Sequence, residues 1–559
     1  MGKKKNKMGL VLVLFLVIAV SMILTALIVI KMVTKKATGN KSAYRVENAY
    51  VVNSSGGKIK FFFDGIMYEF DGELEESYEG IADITVNGNK ITKLSIKGDY
   101  ITGILDAYSK DTITVSELGE LERKNEIPVY SVAGEEIKTM AMSELIVGTS
   151  RLKYVFEKGK VCAIVVEQSP EIQTIRVLLK NKTQLYYKKL YISSDHAWKL
   201  GGQKWKANEV CNVNAELKRT EATNLKATVT KGKLYLCDKK GKQIGNKYEG
   251  TFYLKKQKEG IVVVNELPME DYVRYVLPSE MPPSFSQEAL KAQAICARTF
   301  AYKHMEGENY AEFGANLDDS TSYQVYNASQ PTEETDAAVK QTKGKVLTYG
   351  EDFIDCYYYS TSPGVTENLE IWGEKKSPAY LQAVRTLSNQ TKYKDLSKEN
   401  TFHSFITKEP KSNDSSSPYY RWTAKIDKTG LGDDTLGDFQ SMKVLRRSKS
   451  GYVLSVSCQF EKGKKTLKNE FEIRNYLGKA LDEVVLKDKT SRKGTLLPSA
   501  CFEIAKQGDD VIVLNGGGFG HGVGMSQYGA NELGKEGKKC QEILAVYYPN
   551  SEIRDVGRQ

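Results

Sequence analysis

The chain has 559 residues, of which 41% are hydrophobic and 27% are charged, so disorder is excluded as the dominant state. The formal net charge is +10, yet residues 1–45 hold nine basic residues and no acidic one. The remaining residues are therefore nearly neutral. This excludes a duplex-binding protein, because such a protein carries its positive charge on the folded surface.

The N-terminal segment has the properties of a membrane anchor. Residues 8–30 are uncharged and mostly aliphatic, and 23 residues are enough to span a bilayer as one helix. No convincing signal-peptidase site follows, so we predict a transmembrane signal anchor at 8–30 behind a basic tail at 1–7. A buried core helix is the alternative. Residues 31–44 are predicted to be a polar linker, and basic residues on both sides leave the orientation open.

The eight cysteines are scattered along the chain without any Cys-x-x-Cys pair. This pattern excludes zinc ribbons and dithiol redox motifs. An even number of cysteines permits disulfides outside the cytoplasm, and the spacing leaves any pairing open. We expect most of the cysteines to be buried as small apolar residues.

Residues 45–168 consist of short alternating runs separated by turn residues, which predicts a small all-β domain. Strands are predicted at 59–63, 84–86, 90–96 and 112–115. Asn-Gly at 87–88 and Asp-Gly at 64–65 and 71–72 predict tight hairpins. Nothing in this region indicates catalysis, so a wall-binding or partner-binding module is the expected role.

A second β-rich region begins near Ile172. Strands are predicted at 175–179, 185–192, 225–229 and 233–237, and two more over 249–264. The second of these two ends in the uninterrupted apolar run 261–264, which is typical of a buried strand.

Residues 265–302 form the first segment with chemical potential. A short helix is predicted at 270–276 and is expected to end at Pro278, and Ser284 with Gln287 suggests a capping box for the next helix. Glu280 lies between two proline sites, beside Met281 and Phe285. We expect burial to raise the pKa of its carboxyl. The alternative is an acid that only favours the dipole of the following helix.

Residues 511–548 form the second such segment. A predicted strand at 511–514 enters a loop with six glycines, and a helix is predicted from about Ser526. The glycines fit no dinucleotide-binding or P-loop pattern. The loop carries His521, Ser526, Gln527 and Tyr528, a set of polar groups that suits a sugar ligand. The alternative is a tight structural turn in which His521 only bonds to the backbone.

These segments resemble the SpoIID/LytB family of sporulation and cell-wall proteins. The matching motifs, in the family's order, are VVVNELPMEDYVRYVLPSEMP, EALKAQAICARTFAY, QVYNA, YYYSTSPGVTENLEIWG and GFGHGVGMSQYGA. The resemblance implies a membrane-anchored lytic transglycosylase that cleaves the bond between N-acetylmuramic acid and N-acetylglucosamine and leaves a 1,6-anhydro ring. In this interpretation Glu280 is the catalytic residue, acting first as general acid and then as general base.

The resemblance also marks candidates for substrate binding. They are Gln324, Tyr326, Ser360, Ser362, His521 and Gln527. Thr366 is a further groove candidate, and Trp372 is expected either to stack on a sugar or to lie in the core. Arg298 is expected to fix Glu280 or an acidic neighbour, or to form a structural ion pair.

The chain departs from the family pattern at two places. Some relatives carry His and Cys before the Gln-x-Tyr motif and bind zinc there, whereas this chain reads LDDSTSYQVY, so we predict no metal and no cofactor. Pro363 replaces a glycine of the family's serine loop, and this is expected to stiffen the loop.

The predicted fold class is α+β and β-rich: one N-terminal transmembrane helix, a small all-β domain at 45–168, and a SpoIID/LytB-like mixed domain at 171–559 with its core at 249–559. The expected partners are peptidoglycan glycan strands and the membrane, with a cell-wall amidase or endopeptidase as a candidate. The resemblance implies that the catalytic domain lies outside the cytoplasm and that the basic tail at 1–7 is cytoplasmic. Two alternatives remain open: a non-catalytic glycan-binding or amidase-enhancer protein, and a tethered structural protein of a sporulation complex.

Overall fold

The structure is a computed structural model that describes residues 43–74, 76–181, 184–320, 322–326, 329–388 and 393–556. The predicted cytoplasmic tail, the transmembrane anchor at 8–30 and most of the predicted linker lie outside these residues. No helix within the described ranges is long and apolar enough to cross a membrane. The described chain forms two compact units, and the second begins at Val177 and excludes Glu306–Asn316.

The first unit is built from β-strands. Its strands are β1 Ala43–Ser55, β2 Lys58–Phe63, β3 Ile66–Asp71, β4 Gly80–Asn87, β5 Lys90–Ile96, β6 Tyr100–Tyr108, β7 Thr112–Val115, β8 Gly119–Glu122, β9 Val129–Ser131, β10 Lys138–Met140, β11 Arg151–Glu157 and β12 Lys160–Val166. The first five close into a barrel in the order β1-β2-β3-β5-β4, and the others form a sheet in the order β10-β9-β12-β11-β6-β7-β8. Alternation along the strands directs Val51, Phe61 and Ile84 into the barrel core.

Two of the three predicted hairpins are confirmed. Phe63 pairs with Ile66, and Asn87 pairs with Lys90, each across a two-residue turn. The hairpin predicted at Asp71 and Gly72 is wrong. There the Asp71 N–H donates to the Asn89 carbonyl, and β3 pairs with β5, which closes the barrel. Local turn propensity is overridden because barrel closure supplies these backbone partners.

The second unit contains several sheets of two to seven strands, and its first strand begins shortly before Val177. Its strands are β13 Thr174–Leu179, β14 Tyr191–Ser194, β15 Trp198–Leu200, β16 Gln203–Trp205, β17 Cys211–Asn212, β18 Asn224–Val229, β19 Leu234–Cys237, β20 Gln243–Tyr248, β21 Thr251–Lys256, β22 Ile261–Pro268, β23 Leu317–Asp318, β24 Lys345–Tyr349, β25 Asp352–Phe353, β26 Tyr358–Tyr359, β27 Trp422–Asp427, β28 Phe439–Arg447, β29 Val453–Phe460, β30 Gly463–Lys468, β31 Leu481–Leu486, β32 Ser491–Arg492, β33 Phe502–Gln507, β34 Val511–Gly516, β35 Met525–Ser526 and β36 Glu552–Asp555. The largest sheet has the order β16-β15-β18-β21-β22-β13-β23.

The strand predicted at 185–192 is wrong over most of its length, because only β14 forms and it begins at Tyr191. The backbone groups before it bond to unrelated partners. Tyr187 makes one isolated bridge with Ile261, and the Leu190 N–H donates to the side chain of Asn214. Without a continuous partner strand, no ladder can develop.

The α-helices of the described residues all lie in the second unit. They are α1 Val213–Arg219, α2 Met269–Glu280, α3 Gln287–His304, α4 Glu333–Gln341, α5 Glu399–Thr407, α6 Glu470–Gly478, α7 Gln527–Lys535 and α8 Cys540–Tyr547. Helix α3 packs against α2, α4, α7 and α8. Helix α3 carries a fully buried stripe of mostly small residues, which consists of Leu290, Ala294, Ala297 and Ala301. The chain is therefore β-rich with helices, as its sequence predicts.

Helix α2 does not end at Pro278 as predicted but continues to Glu280. Pro278 removes only the hydrogen bond of its own missing N–H, and later groups close the last turn. The Met281 N–H donates to the Leu277 carbonyl, and the Ser279 hydroxyl donates to the Tyr275 carbonyl. Glu280 is thereby the last helical residue, so the helix itself directs its side chain.

The capping box predicted at Ser284 and Gln287 is also wrong. Ser286 is the N-cap of α3, and its hydroxyl accepts from the Ala289 N–H. The chain is still in a turn before it, because the Phe285 N–H donates to the Pro282 carbonyl. The Ser286 N–H is bound by the Asn531 side chain, which ties the start of α3 to α7.

All eight cysteines are buried and unpaired, which confirms the expectation that they serve as small apolar residues.

Candidate active site

Glu280 lies where helix α2 reaches the protein surface, and the residue is half-buried. Its Oε1 accepts from the Val325 N–H at 2.7 Å, and the Tyr358 hydroxyl bonds to the same carboxyl group. Burial is the largest influence and raises the pKa of Glu280 above its ordinary value of 4.5, while the two hydrogen bonds oppose it. The predicted direction of the pKa shift is confirmed, and no other carboxylate of the described chain contributes to it.

Tyr358 orients this carboxyl group through a buried hydrogen-bond chain. Its hydroxyl accepts from Gln324 Nε2 at 2.9 Å, which leaves its own proton for Glu280. Gln324 Oε1 in turn accepts from the Tyr272 hydroxyl at 3.0 Å. Gln324 is only 1% exposed and both ends of its amide are engaged. Its position therefore suits holding Tyr358, rather than the direct contact with substrate predicted from its motif.

Tyr326 is equally inaccessible, at 1% exposure, and its hydroxyl donates to Asn265 on β22. Its ring contacts the ring of Tyr272 at 5.2 Å between centroids. Tyr326 and Gln324 flank Val325 and fix the N–H that binds Glu280. The Gln-x-Tyr motif thus acts on Glu280 from the interior.

The glycine loop brings His521 next to the same tyrosine. His521 Nε2 donates to the Tyr358 carbonyl at 3.0 Å, and Nδ1 accepts from the Val523 N–H at 3.1 Å, so the neutral ring carries its proton on Nε2. Burial lowers the pKa of His521 to about 4. A side chain at Gly524 would place its Cβ 1.9 Å from the Tyr357 carbonyl oxygen, which explains the glycine there. Both ring nitrogens face the backbone, as the structural alternative for this loop predicts.

Ser360, Ser362 and Gln527 surround the other end of the loop. The Ser360 carbonyl accepts from the Tyr528 N–H at the start of α7. Ser362 is fully buried and its hydroxyl accepts from the Gly364 N–H, while the buried Gln527 meets Gln293 at 3.5 Å. Thr366 is buried as well and accepts from the Val384 N–H. Of this group only Ser360 is partly exposed, so it alone is open to direct contact with a ligand.

Asp414 is a central residue of this region that the sequence did not reveal. Its Oδ1 accepts from the Ser362 N–H at 2.8 Å and from the Ser526 hydroxyl. It is fully buried, and burial raises its pKa to about 6. It lies in the unremarkable stretch KSNDSSSP, where composition indicates only a loop. Only one consideration could have pointed to it: the Ser362 N–H and the Ser526 hydroxyl need a hydrogen-bond acceptor once they are buried.

Trp372 and Arg298 both have internal partners. The Trp372 ring lies 5.4 Å from that of His521, and its Nε1 donates to Glu470 at 3.5 Å. Arg298 is fully buried and makes a bidentate pair with Glu270, at 2.9 and 2.7 Å. Arg298 therefore forms the structural ion pair, one of its two predicted roles, and does not bond to Glu280.

Comparison with known proteins decides the family. The family described as Stage II sporulation protein matches residues 257–349, which include Glu280, and a domain of unknown function matches 366–524. Stage II sporulation protein D of Bacillus subtilis is 33% identical over 307 residues, which cover 52% of this chain and 76% of that protein. The chain belongs to the SpoIID family. The homologue from Bacillus amyloliquefaciens matches equally, with 33% identity over 52% of this chain and 76% of its own length.

A further relative bears a different name. The amidase enhancer of Bacillus subtilis is 29% identical over 50% of this chain and 39% of its own length. The chain is thus similar to proteins that carry two different descriptions.

Within this SpoIID chain, the stretch before Gln324 is held by side chains of the protein itself. Asp318 forms an ion pair with Lys180 and accepts from the Ser320 hydroxyl. Burial raises the pKa of the neighbouring Asp319 to about 6. In the part of the chain that the structure describes, no group of three or more His, Cys, Asp or Glu residues has the arrangement of a metal site.

Proposed function

We propose that this chain is a membrane-anchored lytic transglycosylase, acting outside the cytoplasm on the glycan strands of peptidoglycan during sporulation or wall remodelling. Membership of the SpoIID family supports a sporulation-related role in the cell wall. The observation that carries the proposal is the isolated Glu280 carboxyl, half-buried, with a raised pKa and two fixed hydrogen-bond donors. A raised pKa keeps the carboxyl protonated to higher pH, as a general acid requires.

The proposed reaction uses this carboxyl twice. First, protonated Glu280 gives its proton to the glycosidic oxygen as the C1–O bond breaks. The next sugar leaves with that oxygen as a free hydroxyl. The carboxylate so formed is stabilised by the Val325 N–H and the Tyr358 hydroxyl. It then removes the proton of the substrate's own C6 hydroxyl, whose oxygen bonds to C1 and closes the 1,6-anhydro ring. Glu280 ends protonated, so the cycle is balanced without water.

The other acids of α2 do not supply the second carboxylate that a two-carboxylate hydrolase needs. Such enzymes place the second carboxyl about 5–10 Å from the first. The other acids of α2, Glu270 and Asp271, begin the helix that Glu280 ends, which separates them from it by roughly 15 Å along the axis. Glu270 is moreover bound to Arg298. A single acid with an internal nucleophile fits these positions.

The alternative is a non-catalytic amidase enhancer or glycan-binding protein. Two observations favour it: the relative named amidase enhancer, and the inward-facing bonds of Gln324, Tyr326 and His521. A cell-wall amidase or endopeptidase would then be the partner.

Analysis of the sugar ends tests the proposal. We expect the full-length chain, purified in detergent, to release products from isolated glycan strands whose terminal sugar is lighter by one water than a reducing end. In water labelled with heavy oxygen, the products should contain no label, because the attacking oxygen belongs to the substrate. Labelled products with reducing ends would mean hydrolysis. Glycan binding without any product would establish the non-catalytic alternative.

A chelator is expected to leave the yield of these products unchanged. The proposed proton transfers need only Glu280, and the stretch before Gln324 carries no His or Cys and is anchored by Asp318 and Lys180. The assay compares product yield before and after dialysis against chelator, with a zinc-dependent amidase treated in parallel. Loss of activity that is restored by added zinc would overturn the predicted absence of a metal.

A further inference from the structure

The glycine loop presents one aromatic ring outward. Phe519 is 38% exposed, and its ring stacks on that of the half-buried Tyr419, with centroids 4.4 Å apart and planes 15° from parallel. We call these two residues the aromatic platform. Exposure of a large apolar ring costs free energy in water. A stacked pair of rings that is held partly exposed is therefore a candidate surface for a ligand.

Backbone hydrogen bonds hold the platform in place. Phe519 exchanges two of them with Thr361, at 2.8 and 3.1 Å, and the Gly518 N–H donates to the Tyr419 carbonyl at 2.8 Å. The Gly518 carbonyl accepts from the indole of Trp422 at 2.9 Å. Neighbouring segments therefore fix the backbone that carries the exposed ring.

A second aromatic pair includes a residue that follows the end of α2 in the chain. The rings of Phe285 and Tyr528 meet edge to face at 5.1 Å, and Phe285 follows Glu280 by five residues. The Tyr528 N–H donates to the Ser360 carbonyl, and Ser360 precedes the Thr361 that bonds to Phe519. All four rings are at least partly exposed. We call the four rings the belt, and backbone bonds from Tyr528 and Phe519 tie it to Ser360 and Thr361, shortly after the Tyr358 that bonds to Glu280.

We infer that the aromatic platform is a sugar-binding subsite for an N-acetylated glycan strand, remote from the bond that Glu280 would cleave. The C–H groups on one face of a pyranose ring suit the negative face of an aromatic ring, and the phenols of Tyr419 and Tyr528 can bond to sugar hydroxyls. The exposed phenylalanine of α6, Phe471, belongs to none of the aromatic pairs of the described chain, although it is 60% exposed. The inference rests on the proposed function, since it assigns the belt to that substrate.

Binding measurements with the full-length chain test this subsite. The probes are oligomers of N-acetylglucosamine, a hexasaccharide and a disaccharide, titrated by calorimetry against a Glu280→Gln background that cannot cut them. We expect Phe519→Ala to weaken hexasaccharide binding by about tenfold and to leave disaccharide binding unchanged. Phe519→Trp should bind the hexasaccharide at least as tightly as the parent, and Phe519→Leu, which keeps apolar bulk without a ring, should lose affinity.

Phe471→Ala is the matched control, because it removes an even more exposed phenylalanine ring elsewhere, and it should bind both oligomers normally. The inference is overturned if Phe519→Ala binds the hexasaccharide like its parent, or if Phe471→Ala loses as much. Failure of the proposed function has a different signature. If the wild-type chain yields no anhydro ends while Phe519→Ala still weakens hexasaccharide binding, the transglycosylase activity is refuted and the subsite is retained.

Discussion

Glu280→Gln is expected to reduce the release of anhydro-ended products by at least a hundredfold, and by up to about ten-thousandfold, the range attributed to general acid–base catalysis. The amide cannot donate and recover a proton in turn, yet it has nearly the shape of the carboxyl. It can still accept from the Val325 N–H, so the local hydrogen bonds are expected to survive. The measurement is the initial rate of product formation from purified glycan strands.

The pH dependence of the melting temperature distinguishes a catalytic role of Glu280 from a structural one. Because burial raises its folded-state pKa above 4.5, the protonated carboxyl stabilises the fold at low pH, and this contribution is lost as pH rises through the folded-state pKa. The Glu280→Gln variant lacks that titration. Its melting temperature relative to wild type should therefore rise with pH above about 4.5, while its activity stays absent throughout.

Asp271→Asn is the matched control for Glu280. Asp271 is another half-buried acid of α2 whose pKa is raised by burial, but it lies at the opposite end of the helix. This variant should keep wild-type activity. Activity that survives Glu280→Gln, or is lost equally in Asp271→Asn, would show that the acid has been assigned to the wrong residue.

The sequence predicted the environment of Glu280 better than its partners. The prolines and apolar neighbours around it are local, and they correctly indicated burial and a raised pKa. The groups that hold it come from elsewhere: Tyr358 lies 78 residues further on, and Val325 is a backbone donor without any side-chain signature. Asp414 escaped detection for the same reason, since its role exists only once Ser362 and Ser526 meet.

Turns show the same division between local and tertiary causes. Asn87 and Gly88 form a hairpin because the strands on both sides are adjacent and complementary. Asp71 and Gly72 are a similar turn pair, but their N–H groups donate to the carbonyls of Asn89 and Gly57, which lie in two other turns. Pro278 was expected to end a helix on propensity alone, and the bond from Ser279 to the Tyr275 carbonyl shows how one hydroxyl helps to extend it.

Arg298→Met is expected to destabilise the second unit by about 1–3 kcal/mol, the usual cost of leaving hydrogen-bond partners unsatisfied, because the Glu270 carboxylate that remains is only part-buried. Arg298 is fully buried and donates to both oxygens of Glu270 and to the Lys345 carbonyl. Removing it leaves the Glu270 carboxylate with the Gly344 N–H as its remaining described donor. All four tryptophans lie in the second unit, so urea unfolding followed by tryptophan fluorescence reports on this unit.

Lys538→Met provides the comparison for Arg298, because it breaks an exposed ion pair with Glu542 and should cost less than about 1 kcal/mol. Combining Arg298→Met with Glu270→Leu should recover much of the lost stability, since no carboxylate then remains without its partner. An Arg298→Met variant no less stable than Lys538→Met would mean that the pair does not hold α2 to α3. Glu280 would then depend on Tyr358 and Val325 alone for its position.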